Sequence, residues 1–302
     1  MNKILESYIE GITQAGNIIK QENPDYLIAP MCGSIPFIDA LNLVDDDFDS
    51  SMVVYMPASS KIDNVNQVIQ RWYYNFLNKN VDPNYNFPKI MGIDEVVSGQ
   101  SVIRCFKSID VATQRKRNDI KESLIRRLQS KDTNESTNVL DEIDILTDNV
   151  YSSELTEFRE NILNRIYKND KLKTKEDLKF VTNILRDCLS DKLVYKSIGI
   201  EDSKRENRVN KYENLKKEGR IIPISIKSII TMDKPEYCPA QFYPTERSNE
   251  NFLKFSPIVK EIIITQKYME FLTNIAKVVG KNPIDIRPVN MNSIIESSKY
   301  LI

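Results

Sequence analysis

The sequence predicts an α/β protein with a mainly parallel sheet flanked by helices. Between residues 25 and 110, short apolar runs rich in β-branched residues alternate with segments of helical period. This alternation is typical of parallel sheets, because a helix usually connects one parallel strand to the next. The chain has 302 residues, of which 41% are hydrophobic and 28% are charged, as is usual for globular proteins.

The first half of the chain supplies three strands and the helices between them. Apolar residues of the helices recur every three or four positions, whereas the strands are short apolar runs bounded by turn-forming residues. Asn23 and Pro24 stop the first helix, and Pro83 lies in the loop before the third strand. In chain order we predict a helix over 3–21, a strand over 26–29, a short helix over 35–41, a strand over 52–56, a helix over 65–77, a strand over 90–93 and a long helix from Ser101 past Arg117.

The middle of the chain has no strand pattern. Apolar residues from 130 to 191 recur with helical spacing. This pattern predicts a helical insertion or cap that covers the core or contacts a partner protein.

Strand character returns in the last third. Runs at 195–200 and 221–230 are rich in β-branched residues, and Pro223 favours a sheet edge or a strand start for the second of them. A long helix is predicted over 256–279, with Ser256 as its N-cap and Gly280 after its end, and a short helix within 291–302. The predicted organisation is a first part of the α/β core at 1–129, an insertion at 130–191, and the rest of the core with C-terminal helices at 192–302.

Charge and residue content exclude several function classes. The net charge is −1, which does not indicate binding to nucleic acid or to an anionic membrane, and no apolar run is long enough to span a bilayer. Without histidine, the chain has no His-based catalytic triad or His metal site. The N-terminus lacks the apolar core of a signal peptide, and the four cysteines are scattered, so we expect a cytoplasmic protein with reduced thiols.

The strongest functional pattern follows the third predicted strand. Asp94 and Glu95 come directly after it, then Val97, and then Ser98-Gly99-Gln100-Ser101 at the start of a helix. The first amides of a helix lack internal partners and carry partial positive charge, so a small, hydroxyl-bearing turn there is suited to phosphate. Carboxylates at the strand end are suited to ribose hydroxyls or magnesium. The alternative is an ordinary strand–loop–helix turn with a Ser N-cap.

A second turn of the same kind follows the first strand. Pro30-Met31-Cys32 leads into Gly33 and Ser34, and a short helix comes next. Since carboxyl ends of parallel strands meet at one edge of the sheet, both turns are expected at the same binding edge. Cys32 allows a reading as a nucleophile, but a lone Cys without a His partner favours a small packed side chain.

The segment from Asp94 to Ser101 resembles the phosphoribosyl-pyrophosphate loop of the type I phosphoribosyltransferases. In that family a hydrophobic strand runs into two acidic residues, usually three small or apolar residues, and then Thr-Gly-x-Thr or Ser-Gly-x-Ser. The segment here is one residue shorter. Either Asp94 and Glu95 are the acidic pair, or Asp94 is its second member and Ile93 replaces the first.

The resemblance implies a phosphoribosyltransferase-like fold that binds phosphoribosyl pyrophosphate, or a related sugar phosphate, with magnesium (Mg2+). It implies that Asp94 and Glu95 hold ribose hydroxyls, metal or metal-bound water. It also implies that Val97, Ser98, Gly99, Gln100 and Ser101 cradle the 5′-phosphate, while Gly33 and Ser34 meet the pyrophosphate. Two departures stand out: Cys32 occupies a position where the family commonly has Arg or Lys, and the helical insertion is absent from the compact family pattern.

Three functional hypotheses remain open at this point. The first is an enzyme, a pentosyltransferase that transfers phosphoribose to an unidentified acceptor. The second is a nucleotide-binding module that has lost turnover and acts as a sensor; some resembling proteins accompany bacterial anti-phage systems as effectors. The third is a scaffold whose helical region binds a partner protein.

Overall fold

The computed structural model describes residues 3–31, 33–129, 133–146, 156–157, 160–161, 175–190, 195–204, 208–231, 234–246 and 253–302. Cys32 and much of the predicted 130–191 insertion lie outside these ranges. The chain divides into two compact units. The first comprises 1–75, 89–110 and 195–302, and the second comprises 76–88 and 111–194.

A five-stranded parallel sheet forms the centre of the first unit, with the strands in the order β2-β1-β3-β4-β5. The predicted α/β class with a parallel, helix-flanked sheet is therefore confirmed. Pro223 lies in β5, at the edge of the sheet, where its missing N–H does not interrupt a ladder. The strands are β1 (Tyr26–Pro30), β2 (Val53–Met56), β3 (Ile90–Val96), β4 (Tyr195–Asp202) and β5 (Ile221–Ile226).

Helices connect and cover these strands. The residues on their inner faces, such as Tyr8 and Ile12 of the first helix, are fully buried against the apolar side chains of the sheet. The third and fourth helices begin in the first unit and end in the second. The helices are α1 (Lys3–Glu22), α2 (Ile35–Val44), α3 (Val65–Asn80), α4 (Gln100–Leu128), α5 (Thr133–Leu146), α6 (Lys175–Ser190), α7 (Asn210–Lys217), α8 (Gln266–Val278) and α9 (Met291–Ser298).

The third strand is longer than the sequence predicts. It does not end at Ile93 but continues through Asp94 and Glu95 to Val96, because β4 provides a hydrogen-bonded neighbour along its whole length. The pairing runs from Ile90 opposite Tyr195 to Val96 opposite Glu201. The two acidic residues are therefore part of the strand rather than of the turn that follows.

The helix predicted over 256–279 is wrong in its first third. Residues Phe255–Ile262 form a strand, β7, which pairs antiparallel with β6 (Ala240–Pro244). The apolar pairs Ile258-Val259 and Ile262-Ile263 fit a helical period, but their β-branched side chains also favour a strand, and pairing with the distant β6 decides the outcome. Helix α8 begins only at Gln266, capped by the Thr265 hydroxyl, which accepts from the Tyr268 amide at 3.1 Å.

The second unit has its own apolar core. The later part of α4 packs with α5 and α6 through buried residues such as Leu124, Leu140 and Leu185. Arg127 donates two hydrogen bonds of 2.7 Å to the Glu142 carboxylate, and the Tyr85 hydroxyl donates a third of 2.7 Å. In the part of the chain that the structure describes, no helix is long and apolar enough to cross a membrane.

A buried carboxylate fixes the C-terminal segment to the first unit. Asp39 of α2 is 3% exposed and accepts a 2.6 Å hydrogen bond from the Tyr268 hydroxyl of α8. The backbone N–H of Val289 also donates to it, at 3.0 and 3.1 Å. Burial raises the pKa of Asp39 to about 7, although these hydrogen bonds oppose the increase.

We predict that Asp39 makes the stability of the protein depend on pH. The pKa of Asp39 in the folded chain, about 7, lies above that of an unfolded aspartate, about 3.9. Protonated Asp39 therefore adds to the free energy of unfolding at acidic pH, and this contribution is lost as pH rises through 7. For Asp39 alone, the loss in the free energy of unfolding between pH 5 and 8 is on the order of 2 to 3 kcal/mol. Asp39→Asn should remove that component when unfolding is measured by urea titration across this range. The exposed Asp285→Asn is the control, and an unchanged pH dependence in Asp39→Asn would contradict the assignment.

Candidate functional site

The candidate site lies where the strand order changes direction. From β1 the chain moves outward to β2, whereas from β3 it moves the other way to β4. Parallel sheets bind ligands in the crevice beyond the carboxyl ends of the two strands at such a point. The turns that border this crevice are the β1–α2 turn, which contains Gly33 and Ser34, and the β3–α4 turn, 97–99.

The two strands separate before either of them ends. Pairing between β1 and β3 stops at Ile28 opposite Gly92, after which β1 continues beside β2 only and β3 beside β4 only. The Ser34 hydroxyl donates a 2.7 Å hydrogen bond across the gap to the Ile93 carbonyl. The main-chain edges of β1 and β3 therefore open toward the predicted site, and a buried hydrogen bond closes the base of the opening.

The β3–α4 turn has the geometry of a helix start. Gly99 has φ of +81°, a left-handed value that favours glycine, and its carbonyl accepts the first helical hydrogen bond from the Ile103 amide at 3.0 Å. The Ser98 hydroxyl accepts from the Gln100 amide at 3.4 Å. The amides of Ser101 and Val102 follow in the first turn, where no carbonyl within the helix is available to them.

Asp94 lies at the centre of this arrangement. It is 6% exposed, and its Oδ2 atom is buried without a hydrogen-bond partner. Its Oδ1 atom lies 3.2 Å from the place that a Cβ at Gly33 would occupy, so a larger residue there would require the Asp94 side chain to shift by a few tenths of an ångström. Burial raises the pKa of Asp94 to about 7, opposed by hydrogen bonds from the Glu95 amide and the Ser101 hydroxyl and by the charge of Arg104.

Glu95 has different surroundings. Consecutive strand residues point to opposite faces, so the Glu95 side chain faces α1 rather than α4. Its Oε1 accepts hydrogen bonds from the Tyr8 hydroxyl at 3.5 Å and from the Thr231 hydroxyl. Burial, followed by the nearby charge of Glu95, raises the pKa of Tyr8 well above its usual value.

The structure thus brings some of the predicted site residues together and separates others. Asp94 lies with Gly33 and the start of α4, whereas Glu95 lies on the other face of the sheet. Ile93 is completely buried in the core. Both donors of Ser34 are used within the fold, because its N–H donates to the Pro30 carbonyl at 3.1 Å and its hydroxyl donates to Ile93.

Sequence reasoning missed several residues that border the β3–α4 turn. Arg104 follows Ser101 by three positions, so helical spacing places it on the same side of α4; this signal was available in the sequence. Tyr212 of α7 and Glu201 of β4 come close only through the fold. The Tyr212 hydroxyl donates to Glu201 at 2.8 Å, and Lys216 forms a 3.0 Å ion pair with the same carboxylate.

Tyr212 packs directly over the glycine of the turn. A Cβ at Gly99 would lie 2.6 Å from ring atoms of Tyr212, and a Cβ at Gly199 would lie 2.4 Å from the Tyr212 hydroxyl oxygen. The Val209 amide, just before α7, donates to the Ser98 carbonyl at 3.1 Å. Helix α7 therefore covers the Gly99 side of the turn and fixes its position.

The described residues offer few ligands to a magnesium ion at this site. Among the described residues there is no group of three or more Cys, Asp or Glu side chains placed to hold a metal. Mg2+ often takes one or two carboxylates and completes its shell with water and phosphate oxygens. The unpaired Oδ2 of Asp94 matches the first of these requirements.

Comparisons with protein-family models, with curated proteins and with solved structures found no match to this chain.

We predict that Gly99 is required both for its backbone conformation and for the space that Tyr212 fills. Gly99→Ala should lower the free energy of unfolding by roughly 3 kcal/mol, since it combines left-handed strain with overpacking. Gly219 provides a matched control: its φ is +69°, but nothing lies within 4 Å of a Cβ added there. Gly219→Ala should cost only about 1 kcal/mol.

Chemical denaturation of both variants measures the difference. In a Tyr212→Ala background, which removes the ring but keeps the Tyr212 Cβ, the extra cost of Gly99→Ala should fall. Equal costs at Gly99 and Gly219 would show that contact with Tyr212 does not constrain the turn.

Proposed function

We propose that this protein binds phosphoribosyl pyrophosphate, or a closely related sugar phosphate, together with magnesium, in the crevice between β1 and β3. The observation that carries the proposal is the buried, unpaired Oδ2 of Asp94 at a strand-order switch point. An unsatisfied buried carboxylate oxygen costs free energy, and a metal ion or a ligand hydroxyl would remove that cost. The resemblance of residues 94–101 to the phosphoribosyl-pyrophosphate loop supplies the identity of the ligand.

In this proposal, different residues bind different groups of the ligand. The amides at the start of α4, including that of Ser101, bind the 5′-phosphate together with the Ser98 hydroxyl, because helix N-termini favour anions. The Ser101 hydroxyl donates to Asp94 and orients that carboxylate. Asp94 binds magnesium or a ribose hydroxyl from the α4 face of the sheet. Glu95 binds a ribose hydroxyl or metal-bound water from the α1 face. Gly33 allows the pyrophosphate to approach the main chain.

The chemistry proposed is phosphoribosyl transfer to an acceptor. Asp94 and Glu95 would stabilise the positive charge that develops on the sugar, and magnesium held by Asp94 would neutralise charge on the pyrophosphate leaving group. Neither role needs histidine, which the chain lacks. The helical second unit is an insertion relative to the family pattern in this proposal and offers a surface for a protein partner.

The second candidate is a sensor that binds the same ligand without turnover. Both donors of Ser34 are already used within the fold, which leaves the β1–α2 turn with fewer groups for the pyrophosphate. Such a module would suit a regulatory role, including that of an effector in a bacterial anti-phage system.

We predict that the carboxylates of β3 are required for magnesium-dependent binding. Calorimetry with phosphoribosyl pyrophosphate and magnesium should detect binding to the wild type, and Asp94→Ala combined with Glu95→Ala should abolish it. Asp94→Asn, which keeps the shape of the side chain, should weaken binding at least tenfold if the charged oxygen binds metal. Asp110→Asn, an exposed acidic residue of α4, is the matched control. Binding by the double variant at the affinity of the wild type would show that the site is wrongly assigned.

A second measurement separates the enzyme from the sensor. The enzyme should release pyrophosphate when it is supplied with phosphoribosyl pyrophosphate, magnesium and mixed bases or nucleic acid as acceptors. Asp94→Asn should reduce that release in parallel with binding. Binding without pyrophosphate release across these acceptors is the result expected of the sensor.

A further inference from the structure

A cationic side chain crosses the crevice from the α4 side. Arg104 lies one helical turn after Ser101, and its Nη1 donates a long, 3.4 Å hydrogen bond to the Ala58 carbonyl. Ala58 lies two residues beyond the end of β2. The same guanidinium is close enough to Asp94 of β3 to oppose the rise in the pKa of that carboxyl.

The hydrogen bond to Ala58 shows that the Arg104 side chain extends over β1. In the sheet, β1 lies between β2 and β3, and adjacent strands are about 4.8 Å apart. A side chain that starts on the helix after β3 and hydrogen-bonds the chain just after β2 must pass over the carboxyl end of β1. The Met31 amide, just past β1, donates to the Met56 carbonyl at 2.8 Å, which keeps the ends of β1 and β2 side by side beneath it.

The guanidinium has capacity for a ligand. The guanidinium carries five N–H donors in a planar fork. Among the described residues, its side-chain hydrogen bonding consists of the one long bond to the Ala58 carbonyl. The neighbouring Asp94 keeps one oxygen without a partner. A half-buried cation and an unpaired carboxylate oxygen at the same edge are suited to a ligand that carries both a metal and a polyanion.

We infer that Arg104 binds the pyrophosphate group of the ligand. It takes the part of the basic residue that the resembled family commonly has in the turn after the first strand, where this chain has Cys32. This inference rests on the proposed function for the identity of the ligand.

The test uses three probes on the full chain: phosphoribosyl pyrophosphate with magnesium, inorganic pyrophosphate with magnesium, and ribose 5-phosphate. Arg104→Gln should weaken binding of the first two at least tenfold and leave the affinity for ribose 5-phosphate unchanged, because that probe has no pyrophosphate group for Arg104 to bind. Arg104→Lys keeps the charge but loses the fork and should give an intermediate loss. Lys107→Gln, an exposed cation one turn further along α4, is the matched control. Thermal melting verifies that each variant is folded.

The possible results separate this inference from the proposed function. If the wild type binds all three probes and Arg104→Gln binds them equally well, Arg104 has no such role and the proposed function stands. If the wild type binds pyrophosphate in an Arg104-dependent manner but neither sugar phosphate, the anion site stands and the proposed function fails. If the wild type binds none of the probes, both are overturned.

Discussion

The position of β3 between two partners that stop at different points is the constraint on which the rest of the structure depends. Its ladder with β4 covers seven residue pairs, whereas its ladder with β1 covers three. Beyond Gly92 the strand is held on one side only, and the crevice opens on the other. The β1–α2 turn, the β3–α4 turn and the acidic residues of β3 lie next to the crevice that this difference in length produces.

The electrostatics of the crevice follow from burial in a chain without histidine. Burial removes most of the water around Asp94 and raises its pKa to about 7. The hydrogen bonds from the Glu95 amide and the Ser101 hydroxyl oppose this rise only in part. Asp39 has a similar pKa, but both of its oxygens accept hydrogen bonds, and it joins helices instead of lying at the strand-order switch point. The unpaired oxygen, rather than the raised pKa, therefore distinguishes a candidate site from a structural carboxylate.

The sequence predicted what depends on local pattern and missed what depends on distant pairing. Strand–helix alternation gave the parallel sheet, and Pro223 gave the edge strand. The length of β3 was missed because only β4, about a hundred residues later, holds Asp94 and Glu95 in a ladder. For the same reason the helix predicted over 256–279 includes most of β7: the pairing with β6 leaves no signal in the periodicity of this segment. Arg104 was within reach of sequence reasoning, since its spacing from Ser101 places both on one side of α4.

The features of the turn carry unequal weight as evidence for a ligand. The left-handed backbone of Gly99 and the packing of Tyr212 over it explain that glycine completely, without any phosphate. The same packing covers one side of the turn, so a ligand must approach from the side of Ser101 and Gly33. Gly33 has a similar explanation within the fold, because the atom that its missing Cβ leaves room for is the carboxylate oxygen of Asp94. The case for a bound sugar phosphate therefore depends on the separation of β1 from β3 and on the unpaired oxygen between them, and less on the Ser-Gly-x-Ser pattern that first draws attention to the turn.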